Sequence, residues 1–224
     1  MDLRPFALAG LVLATGVALT QTSGAQTTGG AYLSADKAPD TAAILPAAPA
    51  VNSPRGVADR AIFKATRALK GTPRWTLAQN DVSESTSSML ADFSCATGAK
   101  LTEASAPKIA ALLSRLRYDA VTAVNKPKYL YRRQRPYLID KGDICVAKDA
   151  LLAASPDYPS GHTTWGWTVG LVLAELAPDR AAPVLVRARA YGESRVVCGV
   201  HNASAIEAAR TNASALVATL HGDA

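Results

Sequence analysis

The sequence is poor in the residues that most often hold metals. Its 224 residues contain three histidines, three cysteines and two methionines, and no C-x-x-C pair occurs. Zinc-binding and thioredoxin-type sites, which depend on such pairs, therefore have little support. Aromatic residues make up only 6% of the chain, and no basic run alternates with aromatic residues. Nothing in the sequence thus indicates a nucleic-acid partner.

Long apolar runs are scarce as well. Beyond the N-terminal region the longest apolar stretch covers about residues 165–174, which is too short to span a bilayer. We therefore expect no stable membrane insertion of the mature chain. Patterns typical of β-strands are nearly absent, and no internal repeat is found. Since 49% of the residues are hydrophobic, the chain can nevertheless form a substantial core.

The N-terminus has the pattern of a signal peptide over residues 1–25. Arg4 precedes the apolar stretch 6–19, and small residues suit cleavage after Ala25. The alternative is an uncleaved anchor helix, but 14 residues are short for a membrane span. We therefore expect a periplasmic or secreted protein.

The rest of the chain divides into an arm and a helical domain. Residues 26–55 are rich in Ala, Pro, Thr and Gly and lack periodicity, which predicts a flexible arm. Over residues 56–222 apolar positions recur at intervals of three and four, which predicts helices. The predicted helices cover 58–71, 83–98, 106–125, 127 to about 134, 162–177, 180–199 and 204–221. Ser204 and Glu207 would form a capping box for the last one. The expected fold is a single all-α domain.

Charge and cysteine content leave two questions open. The net charge of +6 fits either a solvated basic surface or attraction for anionic substrates. Export permits a disulfide. Cys95, Cys145 and Cys198 allow one bridge and one free thiol, with three pairings.

Three short clusters contain residues suited to bind an anion. Lys128 and Arg135 are seven residues apart, so on one helix they would share a face and could converge on a single anion. Ser160, Gly161 and His162 stand at the predicted start of a helix, where free backbone amides attract anions. The alternatives are a solvated basic face and an ordinary serine N-cap.

The third cluster pairs Arg195 with His201. The arginine offers a planar fork that matches phosphate oxygens. The histidine can act as a nucleophile when it is neutral. The alternative is a hydrogen-bonded structural histidine near the start of a helix.

Together the clusters read K-x6-RP at 128–136, PSGH at 159–162 and SR-x5-H at 194–201. With these motifs the sequence resembles the type 2 phosphatidic acid phosphatase (PAP2) superfamily, and more narrowly the bacterial class A non-specific acid phosphatases. The resemblance covers about residues 56–222. It implies a helical bundle of the PAP2/vanadium haloperoxidase type. It also implies an exported enzyme that hydrolyses a broad range of organic phosphomonoesters, without a metal or another cofactor.

The resemblance also implies a role for each motif residue. The implied phosphate-binding residues are Lys128, Arg135, Ser160, Gly161 and Arg195. His201 would attack phosphorus and become a phosphohistidine, while His162 would protonate the leaving group and later activate water. Such a site suits phosphoryl transfer, which needs mainly positioning and charge neutralisation. A general acid must carry its proton, so a mildly acidic optimum is expected. The ligands would be small phosphomonoesters and inorganic phosphate, and homo-oligomerisation is left open.

One position departs from the family pattern. The family places an aspartate four residues after the nucleophilic histidine, and this chain has Ala205 there. Such an acid fixes the histidine tautomer, and its replacement by Asn in the Ser-His-Asp triad lowers kcat about 10⁴-fold. The sequence therefore predicts a weakened or re-tuned enzyme, in which Ala205→Asp would raise kcat.

Other functions share the same motifs. A vanadium-dependent haloperoxidase uses a similar anion site, and a non-catalytic phosphate-binding protein would tolerate Ala205. A membrane lipid phosphatase is disfavoured by the missing spans. Among the cysteine pairings, Cys145–Cys198 is favoured, with Cys95 free, because this bridge would tie two phosphate-binding segments together.

Overall fold

The structure, a computed structural model, describes residues 30–223. The predicted signal peptide, its cleavage site and residues 26–29 of the predicted arm lie outside the described residues. Between residues 30 and 223 the chain forms α-helices and short 3₁₀ turns, and no β-strand. The prediction of a single all-α domain is confirmed.

Nine α-helices make up the described part of the chain. They are α1 (Thr41–Ile44), α2 (Pro54–Thr66), α3 (Pro73–Asn80), α4 (Thr86–Thr97), α5 (Pro107–Tyr131), α6 (Ala150–Ala154), α7 (Gly161–Leu176), α8 (Ala181–Val197) and α9 (Ala203–Gly222). Six of them correspond to predicted helices. The other three, α1, α3 and α6, are too short for a periodic pattern to reveal them.

Helix α4 shows how local signals set the helix ends. The hydroxyl of Ser85 accepts a hydrogen bond from the Ser88 amide, as an N-cap residue does. The helix stops at Gly98, whose φ of 73° lies in the left-handed region that favours glycine. The sequence predicted the end at Gly98, whereas the helix starts at Thr86 and not at residue 83 as predicted.

The prediction of a separate short helix from 127 to about 134 is wrong. Helix α5 runs through Pro127 to Tyr131 and ends because Arg132 has a φ of 45°. A proline inside a helix leaves the carbonyl four residues earlier without its donor. That carbonyl, on Ala123, accepts a 2.6 Å hydrogen bond from the Thr41 hydroxyl instead. A contact from α1 thus allows the helix to continue.

The capping box predicted for α9 does not form. The N-cap position is Asn202, which makes no side-chain capping bond. The Ser204 amide and hydroxyl instead donate to the buried carboxylate of Asp59. A tertiary contact has replaced the local one.

Residues 30–53 differ from the flexible arm that their composition predicts. The Asp119 carboxylate on α5 accepts hydrogen bonds from the amides of Tyr32 at 2.8 Å and Leu33 at 2.9 Å. Leu33 and Leu45 are buried. This segment therefore lies against the helical domain, because α5 offers it both an acceptor and an apolar surface.

Helix α7 lies at the centre of the bundle, where it packs against α5, α8 and α9. Two glycines allow α8 to approach closely. A Cβ at Gly166 would lie 2.2 Å from the Tyr191 ring, and one at Gly170 would lie 2.4 Å from the Ala188 Cβ. None of the helices between residues 30 and 223 is both long and apolar enough to cross a membrane.

Candidate active site

A cavity of about 360 Å³ lies between α5, the N-terminal end of α7 and the C-terminal end of α8. Six of the predicted site residues line it: Lys128, Arg135, Gly161, His162, Arg195 and His201. Ser160 does not line the cavity. It is fully buried, and its hydroxyl accepts a 3.2 Å hydrogen bond from the Thr163 amide as the N-cap of α7.

Lys128 and Arg135 reach the cavity from different segments, not from one helix face as predicted. Lys128 lies in the last turn of α5, and its Nζ donates to the Pro159 carbonyl at 3.3 Å. Burial, together with the charge of Arg135, lowers the pKa of Lys128 to about 7. Arg135 lies in the extended chain after α5 and donates to the carbonyls of Ser155 and Val200. Both cations are thus held by backbone carbonyls.

Arg195 has unused hydrogen-bonding capacity. Its side chain is buried, yet its Nε and Nη1 atoms have no hydrogen-bond partner among the described residues. Burial lowers the pKa of Arg195 to about 10, so the group still carries its charge at neutral pH. A buried cation with unpaired donors is costly, and a bound anion would supply what it lacks. Arg195 therefore marks a place for an anion.

His201 has one ring nitrogen facing the cavity and one facing the protein. Its Nε2 lies 3.0 Å from Nη1 of Arg135. An arginine can only donate, so Nε2 accepts and the ring proton is on Nδ1. Nδ1 lies 2.7 Å from the Asp157 carbonyl oxygen and 3.0 Å from its carboxylate Oδ1. The lone pair of Nε2 is therefore on the side of the cations.

The surroundings of His201 keep it neutral. Burial and the charges of Arg135 and Lys128 lower its pKa well below the usual value. A neutral imidazole has a free lone pair, which a nucleophile requires. His201 can therefore attack an electrophile bound among the cations.

His162 is held in a fixed orientation. Its ring stacks on Tyr191, with 4.6 Å between the ring centroids. Its Nε2 faces the Asp81 carbonyl, and its Nδ1 lies 3.2 Å from Oε1 of Glu84. Burial and Arg195 lower the pKa of His162, while Glu84 opposes that shift. The imidazolium form would donate to both acceptors, so this histidine can carry and release a proton.

Glu84 is the one acidic residue among the described residues that line the cavity. Burial acts to raise its pKa, but the hydrogen bond to His162 and the charges of His162 and Arg117 hold it at about 2. Its Oε2 also accepts a 2.8 Å hydrogen bond from Arg117. Glu84 is therefore a carboxylate over the whole neutral range.

Sequence reasoning missed the partners of both histidines. Asp81, Glu84 and Tyr191 surround His162, and Asp157 contacts His201. None of them stands at a spacing that points to its histidine. The sequence left open what orients His201 when Ala205 replaces the aspartate of the family pattern. In the structure the carbonyl and the carboxylate of Asp157 both face Nδ1 of His201 from the segment before α7.

The predicted disulfide is confirmed. Cys145 and Cys198 form a bridge, and Cys95 is free and exposed. The Cys145 amide also donates to the Cys198 carbonyl at 3.0 Å. The bridge joins the segment after Arg135 to the end of α8, next to Arg195.

Comparison with known proteins finds similarity to one family and to several acid phosphatases. The family model described as PAP2 superfamily matches residues 109–221. The chain is 42% identical over 177 residues to an acid phosphatase of Zymomonas mobilis. The aligned region covers 79% of this chain and 67% of that relative. It is 38% identical over 194 residues to a non-specific acid phosphatase of Providencia stuartii, with 86% and 78% covered. A non-specific acid phosphatase of Salmonella typhimurium is 33% identical over 168 residues, with 74% and 67% covered.

A solved structure shares the fold. It is a transmembrane PAP2 type phosphatidylglycerolphosphate phosphatase from Bacillus subtilis, with a TM-score of 0.54 and 17% identity. The match covers 82% of this chain and 90% of that chain. At this identity the likeness concerns the fold alone.

Proposed function

The chain belongs to the PAP2 superfamily, and on this basis we propose that it is an acid phosphatase that hydrolyses a broad range of phosphomonoesters through a phosphohistidine on His201. The observation that carries the proposal is that Nε and Nη1 of Arg195 have no hydrogen-bond partner within residues 30–223, in a cavity that also contains Lys128 and Arg135. The names of the relatives support the reaction class. The names of two relatives, both non-specific acid phosphatases, support the broad range.

Binding of the phosphate group would use the three cations. The free Nε and Nη1 of Arg195 would donate to phosphate oxygens, and the backbone amide of Gly161 at the start of α7 would add to them. Arg135 would exchange its contact with Nε2 of His201 for one with a phosphate oxygen. The lone pair of His201 would thereby be released at the moment the substrate arrives.

The first chemical step transfers the phosphoryl group to His201. The Nε2 lone pair attacks phosphorus opposite the ester oxygen, so that the N–P bond forms and the P–O ester bond breaks. The leaving oxygen takes the proton on Nδ1 of His162. The negative charge on the phosphoryl oxygens stays neutralised by the fixed cations throughout.

The second step releases phosphate. A water molecule gives its proton to Nδ1 of His162 and attacks phosphorus, and the N–P bond breaks. His162 thus acts as an acid first and as a base second. Because a bound phosphate offsets the charge of Arg195, it removes one of the causes that lower the pKa of His162. Protonation of His162 is therefore favoured in the substrate complex.

Export to the periplasm or the medium is part of the proposal. It rests on the sequence pattern of residues 1–25, which lie outside the described residues. The Cys145–Cys198 bridge supports it, because disulfides persist mainly in oxidising compartments.

The test is hydrolysis of a chromogenic phosphomonoester by the purified mature protein across pH 4–8, with a strong chelator present. We expect turnover with a mildly acidic optimum, and no turnover in His201→Ala. Rapid quenching in alkaline detergent, in which the N–P bond persists, should trap phosphate on wild-type protein and not on His201→Ala.

Each rival function predicts a different result. Phosphate binding without turnover would identify a non-catalytic binding protein. Halide oxidation in the presence of vanadate would identify a haloperoxidase. Activity that the chelator abolishes and a divalent metal restores would contradict the metal-free mechanism.

A further inference from the structure

Position 205, where the family pattern has an aspartate, cannot supply a carboxylate here. Ala205 is fully buried in an apolar cluster with Leu45, Tyr158 and Ala208. Its carbonyl accepts a 3.1 Å hydrogen bond from the Ser160 amide. The first turn of α9 therefore holds the loop before α7 in place, and contributes no charge to His201.

A carboxylate reaches His201 from another segment. Asp157 is fully buried, and its Oδ1 lies 3.0 Å from Nδ1 of His201. The residue stands in the loop that leads into α7, 44 positions before His201 in the chain. Neither helix α8 nor helix α9 is needed to provide the acid.

The carboxylate of Asp157 is held by several donors. Its Oδ1 accepts a 3.1 Å hydrogen bond from the Asn202 amide, and its Oδ2 accepts one of 2.8 Å from Nδ2 of the same residue. Nη1 of Arg133 lies 3.5 Å from Oδ2. Burial raises the pKa of Asp157, while the charge of Arg133 and the hydrogen bonds from Asn202 oppose that shift and fix the direction of the carboxylate. The Asp157 carboxylate is thus held in a fixed direction, with Oδ1 toward Nδ1 of His201.

We propose that Asp157 is the positioning residue of His201 and replaces the acid that is missing at Ala205. This inference rests on the proposed function. The carboxylate keeps the proton on Nδ1, so that Nε2 retains the lone pair. It also stabilises the positive ring that forms when Nε2 bonds to phosphorus, as the aspartate of a Ser-His-Asp triad stabilises its imidazolium.

The backbone carbonyl of Asp157 is the alternative partner, since it lies 2.7 Å from Nδ1. A neutral carbonyl would orient the ring with less stabilisation of a positive charge. Asp157→Asn distinguishes the role of the carboxylate from that of the carbonyl, because it keeps the backbone and the side-chain shape and removes the charge. Asn202 can adapt to it by turning its amide, because its Oδ1 has no partner among the described residues.

A matched control is available in the same buried network. The Asp59 carboxylate also bonds to Arg133, with 2.8 Å to Nη2, and to the Ser204 amide. In the hydrogen-bond and ion-pair contacts of the described residues it has no contact with His201. Asp59→Asn therefore removes a comparable buried charge without touching the nucleophile.

The experiment measures kcat, KM, inhibition by inorganic phosphate and thermal unfolding for wild type, Asp157→Asn, Asp157→Ser and Asp59→Asn. We expect Asp157→Asn to lower kcat at least about tenfold, with the roughly 10⁴-fold loss of the triad example as the upper limit. The inhibition constant for phosphate should change little. Asp59→Asn should lower the unfolding temperature and keep kcat near that of wild type.

Nitrogen-15 NMR of the wild type adds a measurement that needs no variant. We expect the His201 proton on Nδ1 at neutral pH, and a proton found on Nε2 would overturn the inference. Wild-type kcat in Asp157→Asn, or an equal loss of kcat in Asp59→Asn, would also overturn it. Activity that survives His201→Ala, or an inactive wild type, would instead refute the proposed function.

Discussion

Lys128 is the cation of the cavity whose charge changes near neutral pH. Its pKa is lowered to about 7 by burial and by Arg135, whereas the pKa of Arg195 is about 10. A lowered lysine pKa means that the positive charge is present below pH 7 and is lost as the pH rises through that value. The free site therefore binds an anion best under acidic conditions.

This gives a prediction for Lys128→Arg. In wild type, KM should rise about tenfold per pH unit above pH 7, because binding requires the protonated lysine. An arginine keeps its charge, so the rise should move to higher pH in the variant. KM measured from pH 5 to 9 checks this, and Lys128→Met should bind weakly at every pH. An identical alkaline rise in wild type and Lys128→Arg would contradict the assignment.

Ala205 leads to a second prediction, which reverses the expectation from the sequence. Because Ala205 is fully buried among apolar side chains, Ala205→Asp would bury a carboxylate without a designed partner. We expect a loss of about 3 kcal/mol in the free energy of unfolding and no gain in kcat, since Asp157 already contacts the ring. Urea denaturation and steady-state kinetics measure both. Ala205→Asn is the control that separates the effect of side-chain size from that of charge. A stable Ala205→Asp with a raised kcat would contradict the prediction, because it would show that Asp157 alone does not fully support His201.

Among the helices, the packing of α7 on α8 connects the core to the site. Gly166 allows Tyr191 to lie against α7, and Tyr191 in turn stacks on His162. The hydroxyl of Tyr191 donates to the Ser83 carbonyl at 3.0 Å, which holds the ring in place. The orientation of the proposed general acid therefore depends on a helix–helix contact.

A third prediction concerns Gly166→Ala. The added Cβ would overlap the Tyr191 ring at 2.2 Å, so the ring must move, at a cost of about 1–3 kcal/mol. We expect lower stability together with a lower kcat, because His162 loses its stacking partner. Gly170→Ala is the matched control, since its Cβ meets Ala188 and not Tyr191. If the two variants lowered kcat equally, the stacking of Tyr191 on His162 would not be the cause of the loss, and the prediction would be wrong.

For the whole molecule, the disulfide is the covalent link between distant parts of the site. The two cysteines are 53 residues apart, and closing a loop of that length reduces the entropy of the unfolded chain by a model-dependent amount of about 4 kcal/mol. Both bridged segments carry residues that line the cavity. The bridge therefore stabilises the arrangement of the site as well as the fold.

A fourth prediction follows for Cys145→Ser/Cys198→Ser. The double variant should unfold about 8–16 °C below wild type, at about 2–4 °C per kcal/mol for a protein of this size. Cys95→Ser removes the free thiol and should leave the unfolding temperature unchanged. Scanning calorimetry without reductant measures both. An unchanged unfolding temperature in the double variant would show that the bridge adds nothing to stability.

The sequence by itself determined much of this protein. Helix α4 ends at Gly98 as predicted, because caps depend on residues next to the helix end. The three motifs identified six residues that line one cavity, because side-chain chemistry and motif spacing are readable along the chain. The Cys145–Cys198 pairing was also predictable, since only one pairing joined two segments of the expected site.

Only the tertiary structure decided how the two histidines are supported. Helix α5 passes Pro127 because Thr41 of α1 satisfies the freed carbonyl of Ala123, and no pattern within α5 reveals that donor. Asp157 contacts His201 because the first turn of α9 and the loop before α7 meet in the folded chain. Contacts of this kind join residues far apart in sequence, so they depend on the packing of whole helices and not on local spacing.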